Sequence, residues 1–461
     1  MTDFNLAVIG GGPAGYSAAI RAAQLGLKVV LIEKDKIGGT CLNRGCIPTK
    51  ALLQGVGLKD EVEKASLLGI EAPNLKLNFN KLKDWQKNSV ETLRNGVQGI
   101  LKKHEITTVN GTGQLVHINQ IKIMETGKLI EVENILLAMG SEPFILPIPG
   151  HDLPGVITSK ELLELQEVPE SMIIIGGGVI GLEFANIYNG LGTDVTIIEL
   201  EKNILPFQDR TISEKMEEIM NKKGINIVIG ERVEKIQESQ EGLKVLFSDK
   251  SISGQKVLMA VGRKPALGNT LKVELELENN YIKVDKYFET SLKGVYAAGD
   301  ILDTPQLAHL ATAEANTAIH NIAIRHFKSS DEKLKTVNYK AVPGAVYTDP
   351  AVASVGLTER EARGKYNIES YIYPYKANGK AITMNKTEGF VKIIKENTYN
   401  EVLGVHIIGN NAYELIAGPT LGINLEITTE ELAETIHPHP TVSEILMEAA
   451  EMAGPGAIHW T

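Results

Sequence analysis

The chain is poor in cysteine. Cys41 and Cys46 are its only two in 461 residues, which excludes a disulfide-stapled scaffold. In a cytosolic protein so close a pair reads as a redox or metal device rather than a staple. Two thiolates leave a tetrahedral zinc site two ligands short; His437, His439 and His459 are the available donors, and no metal is expected. Basic tracts are also missing. A net charge of −10 and a pI near 5.6 argue against a nucleic-acid groove or an anionic-membrane patch. No stretch approaches the ~20 apolar residues of a membrane span. The start, Met1-Thr2-Asp3-Phe4, lacks a basic n-region, and its first apolar run, Leu6 to Ile9, is too short for a signal segment. A cytoplasmic protein is expected. Aromatics are sparse, at 5%. The rest is ordinary for a globular protein: 43% hydrophobic and 23% charged residues. The length suits two to four domains with real cores. Glycine, at 44 residues, is the outlier.

Much of that glycine belongs to an internal repeat. Leu6 to Glu33 reads LAVIGGGPAGYSAAIRAAQLGLKVVLIE, and Met172 to Glu199 reads MIIIGGGVIGLEFANIYNGLGTDVTIIE. Gly10, Gly12, Gly15, Gly26 and Glu33 recur as Gly176, Gly178, Gly181, Gly192 and Glu199, all at an offset of 166. Each copy is an apolar run, a Gly-x-Gly-x-x-Gly turn, an amphipathic stretch and a second apolar run ending in Glu. The pattern predicts strand, tight turn, helix, strand. Ile135 to Gly140 and Val257 to Gly262 each add a closing apolar strand.

A lone Gly-x-Gly-x-x-Gly is weak evidence. Here each copy stands between predicted strand and helix, with an acidic residue 18 positions beyond its third glycine. That is a dinucleotide-binding fingerprint, present twice. The first glycine permits the turn, the second admits a pyrophosphate, and the third lets the helix pack close with its positive end facing the phosphates. Glu33 and Glu199 are expected to accept hydrogen bonds from a ribose hydroxyl. A carboxylate repels a 2′-phosphate, and no arginine cluster follows Glu199, so the second site favours NAD over NADP. The cysteine pair lies eight residues after Glu33. A redox pair beside the first nucleotide assigns the flavin, FAD, to that site.

GGTCLNRGCIPTK (Gly38 to Lys50) resembles the redox-active disulfide motif of the pyridine nucleotide–disulfide oxidoreductases. The likeness runs along nearly the whole chain. It includes ITSKELLEL (Ile157 to Leu165), AVGRKP (Ala260 to Pro265), GVYAAGD (Gly294 to Asp300) and LAHLATAEA (Leu307 to Ala315). It continues through VYTDPAVASVGLTE (Val346 to Glu359) and TEGFVKII (Thr387 to Ile394) to HPHPTVSE (His437 to Glu444). Within the family the similarity is greatest to members that oxidise dihydrolipoamide for 2-oxoacid dehydrogenase, acetoin or glycine cleavage systems. The implied fold is α/β, with two Rossmann-like dinucleotide-binding domains and a C-terminal α+β dimerisation domain. The implied order is residues 1–142 for FAD, 143–266 for NAD, 267–339 returning to the flavin, and 340–461 at the dimer interface. Val56 to Leu101 reads as exposed helices without assigned chemistry.

The resemblance also implies residue roles. Gly10, Gly12, Gly15, Glu33, Lys50, Gly113, Ser141, Asp300, Ala308 and His309 match FAD-contacting positions, with Asp300 on the ribityl chain and Lys50 pairing with Glu183. Gly176, Gly178, Gly181, Glu183, Glu199, Val233, Gly262 and Arg263 are assigned to NAD. The family's Ala-Thr-Gly-Ser reads Ala138-Met139-Gly140-Ser141, losing a hydroxyl. Cys41 is the expected interchange thiol, attacked by dihydrolipoamide, and Cys46 the thiolate that faces the flavin; electrons then pass through FAD to NAD⁺. His439, with Glu444 orienting it, is the expected base, acting on the disulfide of a partner chain in a homodimer. His437 competes for that role.

Five residues along an ideal helix rise ~7.5 Å, beyond the ~7 Å Cα limit of a disulfide. The cysteine segment therefore cannot be one regular helix when oxidised, and Gly38, Gly39 and Gly45 supply the freedom to break it. So small a loop adds little stability, which leaves redox exchange as its purpose. A lipoyl-carrying protein or an acyltransferase core, on a separate chain, is the expected partner. The alternatives are a glutathione-reductase-like enzyme using NADPH, which Glu199 opposes, and a non-catalytic FAD-binding scaffold, which the intact Cys41, Cys46, His439 and Glu444 set opposes.

Overall fold

Short apolar runs ending at glycine become the central parallel strands of both repeats. In the first, Phe4–Ile9 lies between Val29–Glu33 and Leu129–Leu137, with Leu6, Ala7 and Val8 fully buried. Runs buried on both faces read as continuous apolar sequence, as a helix-covered parallel sheet requires. The seven-stranded sheet continues outward to Thr107–Asn110 on one side and to Gln120–Ile123 and Gly113–His117 on the other, and Val295–Ala297 pairs with Leu129–Leu137. The second repeat builds an all-parallel sheet on the same plan. Ser171–Ile175 lies between Asp194–Ile198 and Lys256–Met259, with Asn226–Val228 and Val156–Ile157 at the edges.

The computed structural model describes residues 3–240, 242–327 and 332–460. Met1 and Thr2, which enter the reading of the N-terminus, lie outside them. The chain forms two compact units. One comprises residues up to 52 together with 80–144 and 262–337; the other comprises 53–79, 145–261 and the residues from 338 onward. The first unit holds the first nucleotide fold, to which 262–337 returns. The second holds the second nucleotide fold, a three-stranded antiparallel sheet and the C-terminal sheet. Among the described residues, no helix is long and apolar enough to cross a membrane.

The C-terminal sheet is antiparallel, in the order Gly344–Val346, Ala351–Gly356, Val402–Gly409, Phe390–Glu396, Ile368–Pro374. Helix Glu444–Glu451 packs Ile445, Leu446 and Ala449 into one apolar cluster with Val391, Ile393 and Tyr373. That places the HPHPTVSE segment at the N-terminal end of a helix seated on a sheet.

A buried ion cluster ties this sheet to the second nucleotide fold. The Lys392 ammonium, only 1% exposed, lies 2.7 Å from Asp209 Oδ1 and 2.6 Å from Glu359 Oε2. Asp209 caps helix Arg210–Lys222 by accepting from the Thr211 amide, and it also accepts from the Glu359 amide. Burial alone would raise the Asp209 carboxyl, but hydrogen bonds from Lys392, Thr211 and Glu359 outweigh it and hold it far below the usual carboxylate range. Removing one partner of a buried pair leaves an uncompensated charge, at a cost of about 3–5 kcal/mol. Lys392→Met is therefore expected to lower the denaturant midpoint of the second unit by a corresponding amount. An unchanged midpoint would show that the cluster adds nothing to stability.

Candidate active site

The two glycine turns are built alike. Gly10 and Gly176 have φ of +105° and +108°, and a Cβ there would sit 2.2 Å from Ala138 O and 2.4 Å from Ala260 O. Only glycine fits such a turn. In front of the second glycines there is room: the nearest atom to a Cβ on Gly12 is 3.8 Å away, and Gly178 has none within 4 Å. Gly12 and Gly178 cap twelve-residue helices, Pro13–Gln24 and Val179–Gly190, with no side-chain cap and no acid in the first turn. The amides and positive end of each helix are left for an anion.

The acidic partners repeat to the level of single hydrogen bonds. Glu33 accepts from the Gly11 amide at 2.6 Å and the Asp35 amide at 2.7 Å. Glu199 accepts from the Gly177 amide at 2.6 Å and the Glu201 amide at 2.8 Å. Each carboxylate is thus fixed beside its glycine turn while each oxygen keeps a second acceptor direction. Gly11 and Gly177 were not anticipated from the fingerprint. Their signal was present in the repeat, since a Cβ at either would press on the Cβ and Oε2 of its glutamate, at 3.1 Å for Gly11 and 3.3 Å for Gly177. Buried Val233 begins a strand close by, where the Glu231 amide donates to Glu199 O.

The cysteine segment is broken as the helix arithmetic requires. Helix Gly39–Arg44 stops at Gly45, with φ −142° and ψ −111°, and helix Cys46–Lys64 starts at the next residue. The break brings the Cα atoms to 4.6 Å, and Cys41 and Cys46 form a disulfide. Leu42 is buried beneath the loop, Asn43 donates to Ile37 O and Gly39 O, and Arg94 reaches Asn43. Arg44 pairs with Asp35. These ties were not evident in the sequence, because they join a loop to groups up to 51 residues away. Cys46 is the first residue of a 19-residue helix, where the dipole favours a thiolate. Lys50 follows one turn along.

Ser141, Asp300 and Arg263 form one network in the first unit. Ser141 Oγ donates to Asp300 Oδ2 at 2.5 Å, and Arg263 donates from Nε to Ser141 Oγ and from Nη2 to Ser141 O, both at 2.7 Å. Arg263 was grouped with the NAD residues by resemblance. The structure sets it with two residues of the FAD group, because Arg263–Pro265 crosses back to pair with Ser141–Pro143. Gly262, the residue before it, accepts from the Phe144 amide. Burial lowers the affinity of the Arg263 guanidinium for its proton, against the attraction of Asp300. Gly113 abuts Ile9 and Ile32 beside the first turn. Ala308 and His309 open helix Ala308–Phe327, whose Thr312 reaches Pro13 O.

In the second unit, Glu183 is 5% exposed, and its Oε1 accepts from the Tyr347 amide at 3.1 Å. His439 and Glu444 are together: His439 Nδ1 lies 2.8 Å from Glu444 Oε1, and Glu444 Oε2 accepts from the Thr441 amide. The His439 side chain is 80% exposed, so Nε2 faces outward while Nδ1 is held. Burial tends to raise Glu444, but the Thr441 amide and His439 outweigh it and keep the carboxyl below its usual range. His437 lies in a different setting. Burial depresses its affinity for a proton, and its Nε2 is buried without a hydrogen bond.

Residues 4–315 match the family described as pyridine nucleotide-disulphide oxidoreductase, and residues 342–450 match that family's dimerisation domain. The chain belongs to this family. The dihydrolipoyl dehydrogenase of Bacillus subtilis (strain 168) is 36% identical, over 100% of both chains. That of Thermus scotoductus (strain ATCC 700910 / SA-01) is 38% identical, over 100% of this chain and 99% of its own. Among solved structures, LpdA of Mycobacterium tuberculosis aligns with a TM-score of 0.88 at 26% identity, over 98% of this chain and all of that one. The HOCl-induced flavoprotein disulfide reductase RclA of Escherichia coli aligns with a TM-score of 0.86 at 27% identity, with the same coverage. As a pyridine nucleotide-disulphide oxidoreductase, the protein is an enzyme whose cofactors are FAD and NAD. The open glycine turns, the uncapped helix ends and the anchored carboxylates fit both dinucleotides.

Proposed function

We propose that the protein oxidises a dihydrolipoyl group to its cyclic disulfide and passes the electron pair to NAD⁺. The observation that carries this reading is the Cys41–Cys46 disulfide at the start of a long helix, in a chain 36–38% identical along its length to dihydrolipoyl dehydrogenases. FAD would be held at the first turn by Gly10, Gly12, Gly15 and Glu33 with Lys50, Gly113, Ser141, Asp300, Ala308 and His309. NAD would be held at the second by Gly176, Gly178, Gly181 and Glu199, with Glu183, Val233, Gly262 and Arg263 completing the assigned set. When bound, FAD would supply the two-electron relay between the reduced cysteine pair and NAD⁺.

The chain's own residues handle the thiols. One substrate thiol gives its proton to His439 Nε2 and attacks Cys41 Sγ. The Cys41–Cys46 bond breaks, and Cys46 leaves as a thiolate stabilised at its helix N-terminus. The second substrate thiol then attacks the substrate sulfur of the mixed disulfide, its proton passing to the Cys41 sulfur, which is expelled as a thiol as the lipoyl ring closes. Two electrons and two protons leave the substrate, and the protein disulfide gains both electrons. Glu444 holds the imidazole tautomer and stabilises the imidazolium. His439 serves the disulfide of the other subunit in a homodimer, consistent with the dimerisation-domain match at residues 342–450. The lipoyl group arrives on a separate carrier protein or acyltransferase core. The four-segment division near residues 143, 267 and 340 is the domain order that goes with this reading.

Cofactor choice tests the proposal at Glu199. FAD-loaded protein with dihydrolipoamide should reduce NAD⁺ far more efficiently than NADP⁺, and reduced glutathione should not replace the dithiol. Glu199→Ala should narrow the NAD⁺ preference by about tenfold or more, since a repulsive carboxylate is lost. Equal kcat/KM with both nucleotides in the unmutated enzyme would refute the NAD assignment.

A further inference from the structure

Helix Glu444–Glu451 carries a second histidine–glutamate pair, one turn beyond the first. Glu448 is only 5% exposed. Its Oε2 accepts from the Ile458 amide at 3.0 Å and the His459 amide at 3.3 Å, and its Oε1 meets His459 Nδ1. The segment after the helix is therefore folded back onto it. Trp460 is held in turn under the Lys376 ammonium, 4.9 Å from the ring centroid. Glu444 and Glu448 stand four residues apart on one helical face; the first orients His439 and the second orients His459.

From this geometry, and resting on the dihydrolipoyl reading above, we propose that His459 is a positioning residue of the thiol–disulfide half-site: its cation neutralises Glu448 and so fixes how strongly the carboxylates of this helix bias the base His439. The surroundings favour a charged His459. Its hydrogen bond to Glu448 and the attraction of Glu448, Glu444 and Glu451 raise its affinity for a proton. The other groups facing the cluster are Tyr373, from strand Ile368–Pro374, Glu451, and His437, which interacts with Glu444. Burial and the carboxylates Glu448, Glu444 and Glu451 push the Tyr373 phenol up to about 12. Burial and Glu448 raise the Glu451 carboxyl, whose Oε2 is buried without a hydrogen bond. The face is rich in acid, and His459 is the cation set directly against it.

The sign follows from charge. His459→Gln removes a positive charge and leaves Glu448 ionised on its backbone amides, so His439 should bind its proton more tightly. Glu448→Gln removes a negative charge from the same helix face, so His439 should bind its proton less tightly. A unit charge gained or lost one turn along the helix, at an effective dielectric between that of water and ~20, shifts a neighbour's titration by about 0.3 pH unit or more. The double variant should return near the starting value.

The test is an NMR pH titration of the FAD-loaded dimer with labelled histidine, His439 being assigned through His439→Gln. We expect opposite shifts of the His439 titration in His459→Gln and Glu448→Gln, both shrinking in 1 M salt, where the screening length falls to ~3 Å. His459→Lys, which keeps the cation, should hold His439 near its unmutated value. Shifts of one sign in both single variants, or no shift above 0.1 unit in either, would overturn the proposal, because loss of packing alone has no charge-dependent sign. The titration needs no substrate. Opposite shifts in a protein that fails to turn over dihydrolipoamide would refute the substrate reading and leave the linkage standing.

Discussion

Serine at Cys41 should reduce dihydrolipoamide turnover by about 10³-fold or more, because losing a covalent nucleophile removes the route rather than tuning it. Cys46→Ser should be equally inactive, and the two variants should differ in the thiol that remains. Cys46 begins helix Cys46–Lys64, so in Cys41→Ser it should be alkylated by iodoacetamide with an apparent pKa below the ~8.5 of an ordinary thiol. Cys41 lies in the first turn of the six-residue helix Gly39–Arg44, which is too short to present a dipole like that of the 19-residue helix. In Cys46→Ser it should react as an ordinary thiol. Flavin content should be unchanged in both. The reverse order of reactivity would exchange the roles of interchange and leaving thiol.

The second large effect belongs to His439. His439→Gln should cut dihydrolipoamide turnover by about 10²–10⁴-fold, the range attributed to a general base, and leave FAD retention and NADH oxidation by a one-electron acceptor nearly intact. The Glu444 carboxyl is held below its usual range, so it stays ionised near neutral pH, and its hydrogen bond to His439 is lost only as pH falls through that depressed value. Glu444→Gln should keep measurable activity but turn over more slowly than the unmutated enzyme, since the imidazole loses the carboxylate that fixes its tautomer. His437→Gln should change little. A loss of turnover in His437→Gln as large as in His439→Gln would reassign the base.

The repeat made both nucleotide folds legible, because a glycine turn and an acid at fixed spacing leave few other uses for those residues. The break at Gly45 was also legible, since helix rise and disulfide reach conflict over five residues. What escaped depends on contacts distant in sequence. Arg263 follows the second fold's closing strand in sequence, yet it hydrogen bonds to Ser141, 122 residues earlier. Spacing alone cannot reveal a strand that crosses back. The Lys392 cluster was equally hidden, because a lysine in a β-strand ordinarily reads as a solvent-facing charge. Its partner Asp209 lies 183 residues away. His459 was weighed only as a zinc donor, since its pairing with Glu448 needs the chain to turn back onto the helix.

Subunit mixing tests the central claim most directly, namely that the site joins the Cys41–Cys46 disulfide of one chain to the His439–Glu444 dyad of another. His439→Gln and Cys41→Ser chains, each nearly inactive alone, are exchanged and the heterodimer fraction is measured by native mass spectrometry. Each heterodimer then holds one site with both defects and one with none. The account predicts that dihydrolipoamide-dependent NAD⁺ reduction returns to about half the unmutated rate per heterodimer, in proportion to the heterodimer fraction. No recovery, with heterodimers present, would place the base on the same chain as the disulfide it serves and contradict the composite site.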